Sequence, residues 1–405
     1  MGNRTAAKLY IGFYMLYLLT MTIMGKSSLG SMELIIVAWS AVYMAKVLFS
    51  SYAKPLFVRG VTLLLTLFFA YTVLALMEGR IIYNEKHGFN ITGIIYFRKI
   101  ALSLMPIFAF YYFSMKGYIT KRFMLSYLFP FVALIILSFI KQRNSALAAK
   151  EADEATVNYG YEILTILPLM VFYKYRTIRQ QMLMWLMLFL ILFCVKRGAI
   201  ICAGLSMSIY FFFMLKHDNR RKNYKAYILL IVAALVAYFA LDWMFQSSEY
   251  FVERVDKTME GNSSGRDFIY EFFWYYFLDS TTTKQFLFGG GAFETLFLYG
   301  LYAHNDWLEI AINQGVLGLS IYVFFWLTFL QLCLKCKSDI LVKTALWMLF
   351  VFFLLKSMFS MSYDQFTLYS NIVLGYCMAY NTDINKNNKH AKRLSTSMRQ
   401  WRKRD

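Results

Sequence analysis

Charge is scarce in this sequence. Acidic and basic side chains make up 16% of the 405 residues, against about 25% in a typical soluble domain. A water-soluble core cannot absorb the 59% of residues that are hydrophobic, so lipid is the solvent for much of the chain. Cysteine is scarce too. The five residues, Cys194, Cys202, Cys333, Cys336 and Cys377, all lie in or beside apolar runs. Cys333 and Cys336 have redox-motif spacing, but without a second pair or a nearby histidine they support neither redox chemistry nor a metal site. No internal repeat, nucleotide loop or dinucleotide motif is present. The first apolar run has no small-residue cleavage site, so it reads as a span and not as a signal peptide. The long runs lack polar–apolar alternation, which excludes barrel strands.

What is present is a series of nearly uninterrupted apolar runs. They fall at about 9–24, 32–49, 57–77, 94–113, 123–140, 161–173, 181–195, 199–215, 226–245, 315–334, 340–359 and 365–380. Most approach the ~20 residues that a helix needs to cross ~30 Å of hydrocarbon. The expectation is an all-α polytopic membrane protein with about 12 transmembrane helices and one large outer-face loop. Residues 1–245 would carry helices 1–9, residues 246–314 the large loop with short amphipathic helices, residues 315–380 helices 10–12, and residues 381–405 a basic tail.

The formal net charge of +19 would suit a nucleic-acid binder, but its distribution argues against one. With the N-terminus in the cytoplasm, the cytoplasmic pieces hold 26 of the 42 Lys and Arg residues. They hold only four acids: Asp218, Asp339, Asp383 and Asp405. This is the positive-inside pattern. It puts both termini in the cytoplasm and gives the basic tail anionic lipid to touch.

The loop 246–314 carries the chemistry. Residues 266–278, RDFIYEFFWYYFL, read as an amphipathic helix. Asp267, Glu271 and Tyr270 mark its polar side; Phe268, Ile269, Phe272, Phe273, Tyr276 and Phe277 mark a broad apolar side. Ser264 can cap it, which sets Arg266 in a first turn whose free N–H groups favour an anion. The rival reading of Arg266 is a surface pair with Asp267 or Glu271. A second short helix begins near Asp306, with Glu309 three residues on as in a capping box. Asp306, Glu309 and Asn313 line one of its faces, and Asn313-Gln314-Gly315 interrupts it before the next span. His304, one of only four histidines, therefore stands just ahead of a helix N-terminus. The helix dipole favours its neutral form, while Asp306 pushes the other way.

Arg197 lies at the tip of a helical hairpin, Gln181 to Leu215, that reads Lys196-Arg197-Gly198. The limbs are short, so the tip should lie at or slightly below the outer interface. A guanidinium there is a functional candidate, or one that snorkels to water. The charge count puts Arg197, Arg266 and His304 on one membrane face without using them as evidence. Two arginines suit a pyrophosphate, and an imidazole suits taking a proton from a hydroxyl.

Lys196-Arg197-Gly198-Ala199, Ser264-Gly265-Arg266, Phe288-Gly289-Gly290-Gly291, His304-Asn305 and Gln314-Gly315-Val316-Leu317-Gly318-Leu319 together resemble the O-antigen ligase and polymerase family. The motifs cover about 196–320; the rest of the chain matches in hydropathy only. The family comprises integral membrane transferases that use undecaprenyl-pyrophosphate-linked glycans. The resemblance implies that His304, Arg197 and Arg266 are catalytic and that the two arginines bind the pyrophosphate. Asp306, Asn305 and Lys196 would support them, Asp306 by orienting the ring. Lys196 stands where the family often has Ser or Thr. The glycine triplet lacks a following Lys-Ser/Thr and reads as a tight turn that aims Phe293 or admits lipid-linked substrate.

The expected activity is glycosidic bond formation on the outer face of the bacterial inner membrane, without cofactor or metal. The first outer loop, GKSSLGSME, holds only Glu33, which argues against a metal-dependent lipid-phosphate glycosyltransferase. A repeat-unit polymerase is favoured over a ligase by its breadth of occurrence alone. The rival of another class is a transporter or lipid-linked oligosaccharide flippase. Against it, the largest polar segment is not a central cytoplasmic loop, and no inverted pair of broken helices stands out. Partners implied are membrane lipid, a chain-length regulator and a flippase.

Overall fold

The computed structural model describes residues 3–24, 30–51, 54–84, 89–148, 159–173, 177–194, 196–219, 266–336, 339–362 and 369–382, with six single positions between 231 and 246. Among these, eight stretches are long and apolar enough to cross a bilayer: Arg4–Ile23, Gly30–Leu48, Leu56–Met77, Gly93–Met115, Lys121–Gln142, Gly198–Lys216, Asp306–Leu334 and Ile340–Met358. The chain is an integral membrane protein built of helices. These stretches fall on α1 (Asn3–Met24), α2 (Gly30–Leu48), α3 (Leu56–Met77), α4 (Gly93–Met115), α5 (Lys121–Ser126) running into α6 (Leu128–Ala148), α9 (Arg197–Asn219), α13 (Asp306–Leu334) and α14 (Ile340–Phe359). Three other apolar runs form shorter helices: α7 (Tyr159–Met170), α8 (Ile178–Leu192) and α15 over 371–382. The run 226–245 lies largely outside the described residues. About twelve helices are expected, and the described residues hold eight of full length. At 15 residues, α8 rises only about 22 Å, which is short of the hydrocarbon core. In the first turn of α8, Gln180 is fully buried and donates to the carbonyls of Met170 and Val171 at the end of α7, at 3.0 and 3.1 Å. It satisfies groups that water would serve in a soluble protein.

The expectation of a purely helical chain needs one correction. Ile81–Asn84 and Phe89–Thr92 pair as a two-stranded antiparallel hairpin between α3 and α4, with Ile82 opposite Ile91. β-branched and aromatic residues make up most of both strands, a composition that suits them.

The bundle interior is mostly apolar, with buried polar groups paired between helices, while further apolar side chains face outward. α1 illustrates this: Tyr10, Tyr14 and Tyr17 are buried, while Leu9, Leu16 and Ile23 are exposed. Tyr10 and Ser40 share a hydrogen bond at 2.7 Å, Asn371 donates to Tyr14 at 3.0 Å, and Tyr17 donates to Glu33 at 3.3 Å. Van der Waals packing and such interhelical bonds hold a bundle together where lipid supplies no hydrophobic drive.

The loop segments between α9 and the body of α13 form α10 (Arg266–Tyr275), a π-turn (Tyr276–Ser280), α11 (Thr283–Phe288) and α12 (Glu294–Tyr299). Ile269 and Phe273 on α10 and Phe277 in the π-turn pack with Ala303, Ala311 and Ile312 in a satellite core. The buried stripe is narrower than the sequence suggests, because Phe268, Phe272, Trp274, Tyr275 and Leu278 are exposed. The expected cap at Ser264 lies outside the described residues.

Candidate functional site

The segment 287–315 is built around a break in α13. Gly315 has φ 65° and ψ −161°, which divides that helix into a short first part and the span. Gly289, with φ 74° and ψ 177°, lies against the break. A Cβ on Gly289 would strike the backbone of Asn313 and Gln314, and one on Gly315 would strike the backbone of Leu287 and Gly289. The gap is closed by backbone bonds from Gly290 N–H to Ile312 O at 2.9 Å and from Gly291 N–H to Asn313 O at 3.0 Å. The glycine triplet is thus a docking strand for the broken helix. It also turns Phe293 (φ 61°) inward, edge-on to Tyr96 at 4.8 Å. Arg80, just past α3, ties the turn down through Gly290 O and the carboxylate of Glu294. Tyr71 donates to Phe288 O, and Gln314 donates to Tyr96 at 2.6 Å.

The polar face of the short helix points into this loop. Glu309 is fully buried and accepts from the Thr295 hydroxyl (2.5 Å), Ala303 N–H (2.8 Å) and Asn313 Nδ2 (3.1 Å). Asn313 Oδ1 accepts from Thr295 N–H at 3.2 Å. A carboxylate in a dry site requires such donors, and here they fix the turn that precedes it. The capping assignment is corrected: the cap is Asn305, whose Oδ1 accepts from Trp307 N–H and Leu308 N–H at 2.9 and 3.2 Å. Asp306 is the first helical residue and fully buried. Its oxygens accept from Tyr322 and from Ser362 N–H, both at 2.8 Å. Its carboxylate therefore anchors the helix start against the chain beyond α14. Asn305 Nδ2 also donates to Met358 O (3.2 Å), and Trp307 Nε1 donates to Ser357 (3.1 Å). The turn is thus bolted to the last turn of α14.

His304 sits at the corner of that turn with φ 52°. For a non-glycine residue this left-handed backbone is strained by about 1–3 kcal/mol and persists only where its surroundings impose it. The neighbours that impose it are Asn305, Ala303 held by Glu309, and Tyr270, which donates to His304 O at 3.2 Å. Burial lowers the imidazole pKa below its usual value, and the positive charges of Arg266 and Lys196 lower it further. The question left open by the helix dipole and Asp306 is answered in favour of the neutral ring.

Arg266 opens α10 within hydrogen-bonding reach of Tyr270 and electrostatic reach of Tyr161 and His304. Lys196 precedes α9, with its Nζ 5.2 Å from the centre of the Tyr161 ring. Arg197 is the first residue of α9; its side chain lies outside the described residues. The fold brings the α8–α9 tip, Arg266 and His304 to one end of the bundle, with Arg80, Lys99 and the hairpin at the same end. Sequence reasoning missed Arg80, Glu309 as a hub, Tyr161 and Tyr270 as a lining residue. Glu309 and Tyr270 carried a weak signal as polar positions on otherwise apolar helices. Arg80 and Tyr161 carried none, because their partners lie more than a hundred residues away or on other helices. No group of three or more His, Cys, Asp or Glu side chains gathers in metal-binding geometry among the described residues.

The arrangement can hold an anion beside a neutral imidazole. No curated protein matches the chain. Residues 182–323 match a family model described as O-antigen ligase. This segment, about a third of the chain, carries the α8–α9 tip, Arg266 and His304, and over it the chain is similar to the O-antigen ligase family.

Proposed function

We propose that the chain is a glycosyltransferase of the bacterial inner membrane that polymerises undecaprenyl-pyrophosphate-linked repeat units at its outer face. One observation carries the reading: a neutral, partly buried His304 held in a strained turn with Arg266 and Lys196 as its charged neighbours. In this mechanism His304 takes the proton from an acceptor hydroxyl as its oxygen attacks the anomeric carbon. The new C–O bond forms as the bond from that carbon to the pyrophosphate oxygen breaks. The lipid pyrophosphate leaves with the electron pair, and Arg266, Arg197 and Lys196 neutralise it. The arginine fork suits the departing anion. The lipid keeps the donor in the bilayer, which explains why the base stands at the mouth of a span.

The family description favours a second reading, a ligase that passes the glycan to a different acceptor such as lipid A core. Both readings use the same residues. The test is transfer in vitro with purified protein and lipid-linked donor, with and without a lipid A–core acceptor. Polymer from donor alone supports the polymerase; product only with the added acceptor supports the ligase. His304→Gln is expected to lower turnover about 10²–10⁴-fold, the usual contribution of a positioned base. Near-normal turnover by that variant would remove His304 from the chemistry.

A further inference from the structure

Below the tip of the α8–α9 hairpin a cavity of about 280 Å³ lies between the two limbs. On α9 its wall is made by Ile200, Ala203, Gly204, Met207, Ser208 and Phe211. These positions recur every three to four residues, so they form one continuous stripe down the helix. Leu188 and Leu192 of α8 form the facing wall. From Ile200 to Phe211 the stripe rises about 16 Å, roughly half the hydrocarbon core. Trp185 and Phe211 stack at its lower end, with ring centres 5.9 Å apart. Its upper end begins one turn below Lys196, whose carbonyl accepts from Ile200 N–H at 3.1 Å.

Small residues hollow this furrow. A Cβ on Gly204 would meet nothing within 4 Å, and Phe189, Gly204 and Ser208 are exposed along the rim. The adjoining face of α9 is unlike it: Cys202, Ser206 and Tyr210 are buried in the bundle. Close-packed interiors leave few voids of this size, and lining atoms without neighbours forfeit their dispersion contacts. Water does not fill an apolar furrow at this depth, so a hydrocarbon chain must.

Continuity and shape select which chain. The furrow leads up to the tip that carries Lys196 and Arg197, at the same end of the bundle as Arg266 and His304. A chain lying in it delivers its head group there. The notches at Gly204 and Ser208, between Ile200, Met207 and Phe211, accept methyl branches. An isoprenoid has such branches and a straight acyl chain lacks them.

We propose that this furrow seats the first isoprene units of the donor's polyprenyl chain, directly below its pyrophosphate. This rests on the pyrophosphate-donor reading above. The remainder of the chain lies in the bilayer. The seat also gives the donor its route of entry, laterally through the exposed rim between α8 and α9.

The test uses purified full-length protein in lipid nanodiscs. The probe is undecaprenyl pyrophosphate with a photoreactive diazirine on its first isoprene unit. It should label the stripe from Ile200 to Phe211. Excess unlabelled undecaprenyl pyrophosphate should suppress that labelling, and excess phosphatidylglycerol should not. Gly204→Leu fills the furrow from within. Its side chain enters open space, and loss of a glycine favours the helix, so this variant should fold. It should bind undecaprenyl pyrophosphate roughly tenfold more weakly, as expected for an overfilled site. Gly12→Leu is the control: Gly12 is exposed on α1 and its Cβ position is equally open, so binding should not change. Labelling elsewhere in the chain would overturn the seat, as would wild-type affinity in Gly204→Leu. Labelling of the stripe that undecaprenyl pyrophosphate does not suppress would overturn it too, and would mean that ordinary bilayer lipid fills the furrow. A wild-type protein that does not bind undecaprenyl pyrophosphate would overturn the donor reading itself, a separate result.

Discussion

His304 combines an unfavourable backbone with an electrostatic setting that keeps it neutral. The groups around it are Arg266 and Tyr270 from α10, Lys196 from the α8–α9 tip, and Asp306 after it in the chain. The sign of the pH effect follows. Burial and two cations disfavour the imidazolium, so the folded pKa lies below the usual value of about 6.5. Between the folded and the unfolded pKa the unfolded chain binds the extra proton, so stability is full above the unfolded value and falls as pH drops toward the folded one. The same ordering applies to activity, because the base is available only above the folded pKa. The acid limb of kcat/KM for the donor should therefore fall below pH 6.5. Lys196→Gln removes one repelling charge and should move that limb upward, whatever it does to the height of the plateau. A limb that stays fixed in this variant would mean that Lys196 does not act on the ring. His304 and Arg266 were legible as a pair in the sequence because charge topology alone assigns them to one face. The cap was misread because Asn305 and Asp306 are adjacent and both can cap. Only the bonds from Tyr322 in α13 and from Ser362 beyond α14 show that the Asp306 carboxylate faces the bundle while Asn305 caps the helix.

At the scale of elements, the site depends on one break and the strand docked into it. Gly289 and Gly315 both have positive φ with ψ near ±160–180°, a region open almost only to glycine. Each also faces backbone where a Cβ would go. Gly315→Ala should cost about 1–3 kcal/mol in backbone strain, and overpacking against Leu287 adds to that. Gly300 supplies the control: it has φ 73°, but its Cβ position is open. Gly300→Ala should therefore lose less. The measurement is the temperature of irreversible unfolding for the purified variants, together with transfer activity. Equal losses at Gly315 and Gly300 would mean that the close approach of strand and helix contributes nothing. The interruption after Asn313 was readable from Asn-Gln-Gly before an apolar run. The docking was not, because a triplet of glycines reads as a tight turn without naming what it packs on until its partner carbonyls, Ile312 and Asn313, are known. Which part of the apolar side of α10 packs on the protein was not legible either. Composition cannot separate side chains that pack on Ala303 and Ile312 from those, such as Phe268 and Trp274, left exposed.

At the scale of the molecule, the helices were legible because apolar runs of about 20 residues have few other uses. Among the described residues α7, α8 and α15 are shorter than the eight long stretches, although hydropathy alone reads all of them as spans. The molecule has two distinct ends. One carries Lys196, Arg266, His304, Arg80 and the hairpin. The other carries the far ends of α9 and α14, where Lys343 lies 5.7 Å from the centre of the Phe213 ring, and it is the end to which the charge count assigns Lys54, Lys116, Lys121, Arg122, Arg179 and Lys335. The positive-inside rule puts that basic end in the cytoplasm, so the site end should face outward. Single cysteines in intact cells, treated with a membrane-impermeant thiol reagent, test this directly. The five native cysteines are buried and should contribute little background. Probes at Asn262 and Ser280, in the loop that carries Arg266, should react. Probes at Asn219 and Asn388 should react only after the membrane is opened. External labelling at Asn219 would invert the orientation. The histidine would then face the cytoplasm, and an outward-facing transferase would be ruled out whatever the arginines bind.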